Sequence, residues 1–574
     1  MEHVWFKNYE KGVPHTLDYP QAPLYKLLDN SAAEYPDRAA IVFGAVAHKL
    51  PGQPLMDASL SYRDLRDAVN RFANTLIKLG VKKGDRVAIY LPNCPQFAIA
   101  FYGALKAGAV IAPVNPIYTP RELEFILQDS GAETIVALSQ FYPKLQEVRG
   151  KTKIKNVLVA NIKEYFPMVL KTLFSLAMEK KEGHRQELAA GDHWFQEVLK
   201  NESALAPNVD VKSDDDAVLL YTGGTTGLPK AAQLTHRNLL CNAIQLRAWI
   251  PWAKEANEGF LTALPMFHSY AMTTCLNEAM LLAGTLILIP NPRDLDHVLK
   301  AIDKHKPSFF PGVPTLYTAI NNNPNVTKYD LKSIRACISG AAGLPVEVAK
   351  KFGEITGGRL VEGYGLSEAS PVVTANPVFG ENRIGTIGVP IPDTDVKLFD
   401  VETGDKQVPI GTPGELCVKG PQVMKGYWNK PDETMKTIRD GWLHTGDVAV
   451  MDEDGYFRIV DRLKEMIISG GYNIYPREIE EVLYQHPAVL EATAIGIPDE
   501  YRGESAKAFV VLKQGQSATS EELIAFCKQN LAPYKVPRQV EFRDALPKTM
   551  IGKILRRELV AEEKAKMAQG NGKK

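Results

Sequence analysis

The sequence predicts an α/β protein, in which a large N-terminal domain of α/β subdomains carries a β-barrel-like region and a small α+β domain follows. Three observations lead there. Short apolar strands alternate with helical periodicity over roughly the first 390 residues, the texture turns to Gly- and Pro-punctuated strands from about 385, and a smaller α+β pattern begins after Asp461.

The first clear unit is LSYRDLRDAVNRFANTLIKLGVKKGDRVAIYLPN. Ser61 and Asp64 match a capping box, Leu65, Ala68, Phe72, Leu76 and Leu79 recur at helical spacing, and Gly80 stops the helix. RVAIYL (86–91) reads as a strand, 94–108 as a helix and VIAPVN (110–115) as the next strand, a parallel βαβ unit. Strands recur at 133–137, 284–290, 307–313 and 334–340. Beyond Asp461 the pattern gives a helix at 477–485, the strands ATAIGIP and AKAFVVLK, and a helix from Ser520 to about 531. The polar end, AEEKAKMAQGNGKK (561–574), reads as a disordered tail.

A chain of 574 residues exceeds one core, and its 45% apolar and 23% charged residues are ordinary globular composition. Lys plus Arg balances Asp plus Glu at 67 each, which argues against nucleic acid as a partner. Six cysteines stand far apart without metal spacing, as in reduced intracellular thiols. No charged n-region precedes an apolar h-region at the N-terminus, and AMLLAGTLILIP (279–290) is too short to span a bilayer, so a cytoplasmic protein is expected.

The stretch YTGGTTGLPKAAQLTH (221–236) describes a phosphate cradle. Glycine admits a ligand close to the backbone, threonine hydroxyls donate, and Lys230 adds a point charge. It departs from the P-loop, because Pro229 separates Gly227 from Lys230 and Ala231 stands where that loop has a metal-binding hydroxyl. A Gly-rich turn with no ligand is the plain alternative. A metal would have to be gripped elsewhere.

Six further stretches accompany it: LPMFHSY (264–270), SGAAGLP (339–345), EGYGLSEASP (362–371), GWLHTGD (441–447), DRLKEMIISGGYNIYPREIE (461–480) and PKTMIGKILRR (547–557). In this order the chain resembles the adenylate-forming superfamily of acyl- and aryl-CoA ligases, luciferases and peptide-synthetase adenylation domains, from about residue 20 to 560. YTGGTTG and GYGLSEASP look most like bacterial long-chain fatty acid–CoA ligases, although many relatives carry serine where Gly223 stands.

The resemblance implies ATP-dependent activation of a fatty acid to acyl-AMP and its transfer to CoA. The nucleophile is the substrate's own carboxylate, already ionised at neutral pH, so no serine or cysteine nucleophile is needed. The enzyme must screen charge and align the attack. On this likeness Thr222, Gly223, Gly224, Thr225, Thr226, Gly227 and Lys230 hold the β- and γ-phosphates. Glu368 binds Mg2+ beside Ser367, where most relatives have threonine, and His268 lies near the carboxylate and α-phosphate. Tyr364, between Gly363 and Gly365, lies against adenine, with Gly340, Ala341 and Ala342 on the other side. Asp447 takes the ribose hydroxyls, with Arg462 on the same sugar. Lys553 is the adenylation lysine.

The likeness also makes the C-terminal domain mobile. It divides the chain into a large domain (1–460), a hinge linker (461–465) carrying Asp461 and Lys464, a small domain (466–560) and the tail. Rotation about the hinge removes Lys553 and brings Gly470 and Gly471 to the thioester site. The plain alternatives are surface charges at Glu368 and Lys553, a structural His268 and a core Tyr364; the surrounding motifs favour the functional roles.

Chain length is less legible. Met272 matches the position where some long-chain relatives gate the acyl tunnel with an aromatic. In 163–184, Tyr165, Phe166, Val169, Leu170, Leu173, Phe174, Leu176 and Ala177 form an apolar stripe ending in Lys180, Lys181 and Arg185. It suits either peripheral contact with the inner membrane face or packing on the protein's own core. A medium-chain or aryl-CoA ligase, and an acyl-AMP ligase serving a carrier protein, are the alternative readings within the fold. A non-catalytic lipid or nucleotide binder is disfavoured by the presence of Lys553, Glu368 and Asp447. Oligomeric state stays open, a homodimer being one option.

Overall fold

A computed structural model describes residues 3–46, 54–222, 229–469, 472–499, 502–549 and 554–570. It divides into two compact units, Met1–Asp395 with Lys419–Gly441, and Val396–Val418 with Trp442–Lys574.

The first unit is built on an eight-stranded sheet. Its centre is the parallel set Val110–Pro113, Arg86–Tyr90, Thr134–Leu138 and Asn156–Ala160, in that spatial order. These strands read as near-continuous apolar runs because they are buried on both faces. Every residue of the helix Pro95–Lys106 is buried. The Ser61–Asp64 capping box forms as expected, and Gly80 takes a left-handed φ of 88° just past the helix Tyr62–Lys78. Next to them Asp216–Thr222 runs antiparallel to Lys230–Thr235, with Thr222 opposite Lys230 and Gly426–Tyr427 at the edge beyond, so the first two strands bracket the phosphate-cradle loop.

Two four-stranded sheets complete this unit. One orders Gly259–Thr262, Thr285–Leu288, Ala39–Val46 and Leu55–Ser61; the other Ala336–Ser339, Arg359–Gly365, Val372–Ala375 and Val389–Pro390. The strand expected at 307–313 supplies only isolated bridges, Phe309 to Phe260 and Ala336, and Gly312 to Ser339. Pro311 has no amide to donate, which interrupts the ladder between those bridges.

In the second unit Gly414–Lys419, Trp442–Met451 and Phe457–Arg462 pair antiparallel. Asp461 and Arg462 close the last of these strands and Leu463–Glu465 form a turn, so the expected hinge segment begins inside a strand. A second sheet carries Val489–Asp499 against Gly503–Leu512, with the helices Pro476–Tyr484 and Ser520–Asn530. A helix spans Arg556–Gly570, through most of the stretch from 561 expected to be a disordered tail; 571–574 lie outside the described residues. Leu559 is buried with Ile495, Ile497 and Phe509, and Lys507 pairs with Glu563 at 2.8 Å, which ties the helix to the sheet. Apolar burial one turn earlier outweighs the polar composition that suggested fraying.

The stripe at 163–184 splits by face. Phe166, Leu170 and Phe174 are buried, with Phe166 between Phe43 (ring centroids 5.4 Å apart) and Phe174 (5.6 Å). Met168, Val169 and Leu176 stand 77%, 57% and 82% exposed, on the same segment as exposed Lys180, Lys181 and Arg185. Among the described residues no helix is long and apolar enough to cross a membrane.

Candidate active site

In the first unit, several of the predicted stretches converge. His268 caps the short helix Ser269–Ala271, its Nδ1 accepting the Tyr270 amide at 3.3 Å. A neutral His268 therefore carries its proton on Nε2, a donor suited to an anion. Ser269 and Ser367 place their hydroxyls 3.4 Å apart, and the Tyr270 hydroxyl donates to the Ile338 carbonyl. A Cβ at Gly340 would lie 3.0 Å from the Tyr270 ring, so glycine lets the SGAAGLP loop sit against it. Ala341 takes a left-handed φ of 70° at the exposed end of that loop, and Ala342 is exposed beside it.

Gly363, Tyr364 and Gly365 end the strand Arg359–Gly365, with Tyr364 half-buried. At Gly365 a Cβ would meet the Pro371 carbonyl oxygen at 2.2 Å, which excludes any other residue. The strand then gives way to a 3-10 turn, Ser367–Ala369, carrying Ser367 and Glu368. Met272, the gate candidate, is fully buried at the start of a π-helical turn, Met272–Asn277.

Glu368 has a partner the sequence did not announce. The Tyr427 hydroxyl donates to its Oε1 at 2.9 Å, and the Met424 amide to its main-chain carbonyl at 2.8 Å. Burial, reinforced by the Glu368 carboxylate, pushes the Tyr427 phenol far above its ordinary value, so it stays a donor. The same ring lies 5.2 Å from Lys230 Nζ, and Lys230 pairs with Glu433, which it holds below the usual carboxylate range. Tyr427 thus links the carboxylate expected to hold metal and the lysine expected to hold phosphate. Its only signal is GYWNKPDET, a tyrosine between a glycine and a Pro-started helix, which says nothing of a partner 59 residues away.

In the second unit Asp447 is nearly buried and its Oδ1 lies 3.1 Å from Arg462 Nε, so the two predicted ribose residues are paired. Asp461 is buried, which raises its carboxyl to about 6 against the pull of Arg556. Arg556 also pairs with Glu465 and takes Glu480 bidentately at 2.7 Å. Lys464 is exposed in its turn. Gly223, Gly224, Thr225, Thr226 and Gly227, Gly470 and Gly471, and Lys553 lie outside the described residues.

An oxygen-only donor set at Glu368 and Ser367, with the carboxylate half-exposed and steadied by Tyr427, fits a hard cation such as Mg2+ shared with phosphates. Nucleophilic thiols do not enter: burial pushes Cys94 and Cys275 up to about 12, and all six cysteines are buried.

Comparison with known proteins agrees with this geometry. The profile described as AMP-binding enzyme matches residues 28–428, and that of the AMP-binding enzyme C-terminal domain matches 478–553. The chain is 46% identical to a long-chain-fatty-acid–CoA ligase of Bacillus subtilis, over 97% of this chain and 98% of that one. It is 42% identical to the enzyme of the same name from Yersinia pestis, over 98% of each. Among solved structures it is similar to an anthranilate CoA ligase in complex with anthranoyl-AMP, with a TM-score of 0.82 and 26% identity, covering 96% of this chain and 99% of that one. By profile, by full-length identity and by fold, this chain belongs to the AMP-binding enzyme family.

Proposed function

We propose that this chain is an ATP-dependent long-chain fatty acid–CoA ligase, forming acyl-AMP with release of pyrophosphate and then acyl-CoA with release of AMP. The observation that carries the proposal is the similarity to long-chain-fatty-acid–CoA ligases over nearly the whole chain at 46% and 42% identity. The test is pyrophosphate release across saturated acids from acetate to arachidate and across benzoate, with and without CoA. Highest kcat/KM on the long acids, with thioester formed only when CoA is present, is the expected result. Preference for short or aromatic acids, or for a carrier protein in place of CoA, would overturn it.

The chemistry assigns roles to this chain's residues. The loop from Thr222 to Lys230 binds the β- and γ-phosphates, and His268 donates through Nε2 to the anions gathered at the reacting centre. Tyr364 and the Gly340–Ala342 loop sandwich adenine; Asp447 and Arg462 hold the ribose. Glu368, beside Ser367, would hold Mg2+, which would supply neutralisation of the phosphate charge. Lys553 holds the carboxylate and α-phosphate oxygens as negative charge builds between them. Rotation about Asp461–Glu465 then exchanges Lys553 for the Gly470–Gly471 segment, which serves thioester formation.

Glu368→Gln is expected to weaken Mg-ATP use far more than Asp447→Asn alters metal dependence. Tyr427→Phe is expected to raise the Mg2+ concentration for half-maximal rate by about tenfold, the usual cost of losing a ligand's outer partner. Magnesium titrations of the pyrophosphate-release rate check both. Rescue of Asp447→Asn by added Mg2+, with no rescue of Glu368→Gln, would reverse the assignments.

The exposed face of Met168, Val169 and Leu176, followed by Lys180, Lys181 and Arg185, suits an anionic lipid surface where long-chain acids partition. Met168→Glu with Leu176→Glu is expected to lower binding to phosphatidylglycerol-containing vesicles by about tenfold or more, with melting temperature and activity on a soluble short acid unchanged. Phe174→Glu, by contrast, should destabilise the fold, because it buries a charge beside Phe166. Unchanged vesicle binding in the double variant removes the membrane reading and leaves the ligase reading standing.

A further inference from the structure

The loop that carries Asp447 is a bulge held from the neighbouring strand. Glu415 lies opposite Val448 and Cys417 opposite His444, so Leu416 alone faces Thr445, Gly446 and Asp447. Three residues against one push the backbone out of the ladder and cost its amides their regular partners. Side chains replace them, Glu415 from the facing strand and Thr445 from the bulge itself. The Gly446 amide donates to Glu415 Oε1 at 3.0 Å. The Thr445 hydroxyl donates to the Leu416 carbonyl at 2.7 Å and accepts the Asp447 amide at 3.1 Å. Gly446 takes a left-handed φ of 73° immediately before Asp447.

The second oxygen of Glu415 lies 2.7 Å from His444 Nδ1, and Cys417 Sγ lies 3.2 Å from the same nitrogen. One ring nitrogen carries one proton, so the short carboxylate contact takes it and the thiol is at most a secondary acceptor. Glu415, Cys417 and His444 also offer one metal-ligand atom each. Both Glu415 oxygens are already engaged, one by a backbone amide and one by the imidazole, so hydrogen bonds account for the cluster. Glu415 is 6% and His444 9% exposed, and a buried carboxylate spending both oxygens on residues 444–446 is a rigid anchor for that loop.

We infer that Glu415, oriented by His444, is a positioning residue for nucleotide recognition: it fixes the Thr445–Gly446–Asp447 bulge so that the Asp447 carboxylate meets the ribose hydroxyls. The inference rests on Asp447 as the ribose ligand. Misplacing a recognition group by about an ångström is enough to cost up to about a hundredfold.

The test compares ATP with 2′-deoxy-ATP in acyl-AMP formation, for wild type, Glu415→Ala, Glu415→Gln, Asp447→Asn and the Glu415→Gln/Asp447→Asn double variant. Glu415→Ala is expected to raise KM for ATP by about tenfold or more, with a much smaller change in kcat, and to erase most of the preference for ATP over 2′-deoxy-ATP. Glu415→Gln keeps an oxygen for Gly446 and is expected to show a smaller loss of the same kind; it carries the test if the alanine variant does not fold. In the Asp447→Asn background Glu415→Gln should add nothing, because the two act through one contact. Preference retained in both Glu415 variants but lost in Asp447→Asn overturns the positioning role alone, as does a proportional loss on both nucleotides with a lowered melting temperature. Preference retained in Asp447→Asn overturns the ribose assignment and the positioning role with it.

Discussion

Lys553→Ala is expected to reduce acyl-AMP formation by about 3–4 kcal/mol, on the order of a hundred- to a thousandfold in rate, while leaving CoA attack on supplied acyl-AMP largely intact. The first half-reaction brings a carboxylate to a phosphate, two anions, and a well-placed cation acts there on charge that develops in the transition state. The second half-reaction develops charge too, on the carbonyl oxygen and the departing AMP, but on the proposed rotation Lys553 has left the site by then, so its loss is felt in the first step. Two of the neighbouring cations are poor substitutes. Lys548 pairs with Glu491, and Arg556 is held by Asp461, Glu465 and Glu480, so moving either would strand carboxylates. Pyrophosphate release measures the first step, and thioester formation from synthetic acyl-AMP the second. Equal loss in both would sink the separation of roles and, with it, the rotation about Asp461–Glu465.

Local order was largely legible because it is written locally. The Ser61–Asp64 box, Gly80 and the apolar strand Arg86–Tyr90 stand where periodicity and cap chemistry put them. Glycines at 340 and 365 were legible as motif letters, and the structure supplies their reason in the Tyr270 ring and the Pro371 carbonyl. What resisted reading depends on distant partners. Tyr427 serves Glu368 across 59 positions, and the strand mismatch of Leu416 against Thr445, Gly446 and Asp447 leaves no period in the sequence. The stripe at 163–184 left core packing and membrane contact both open: hydropathy gives Phe174 and Leu176 alike as apolar, and packing separates a core face from an exposed one. The end of the chain reads as polar because its buried contributions, Leu559 and the paired Glu563, are sparse within a charged run.

Glu278→Gln is expected to stabilise the protein increasingly with pH, by on the order of several kcal/mol at and above pH 8 and by little near pH 4.5. Glu278 follows the π-helical turn that begins at Met272, is 3% exposed, and has no hydrogen-bond partner on either carboxylate oxygen among the described residues. Burial raises its carboxyl from 4.5 to about 8, and Arg247 offsets this only weakly. The sign follows from proton counting. Unfolded, the group ionises near its ordinary value; folded, it keeps its proton until about 8, so the folded state binds more protons over that window. The stability associated with Glu278 is therefore complete below about 4.5, is lost as pH rises through the window, and does not change further above about 8. Glutamine has the same shape and stays neutral throughout, which removes that loss. Asp461, raised to about 6, titrates in the same direction in both proteins and cancels in their difference. Melting temperatures of the variant and wild type between pH 5 and pH 8.5 give that difference directly. A gap that widens with pH is the expected result; a gap independent of pH would mean that Glu278 is ionised in the folded protein, held by a cation or water that offsets its burial.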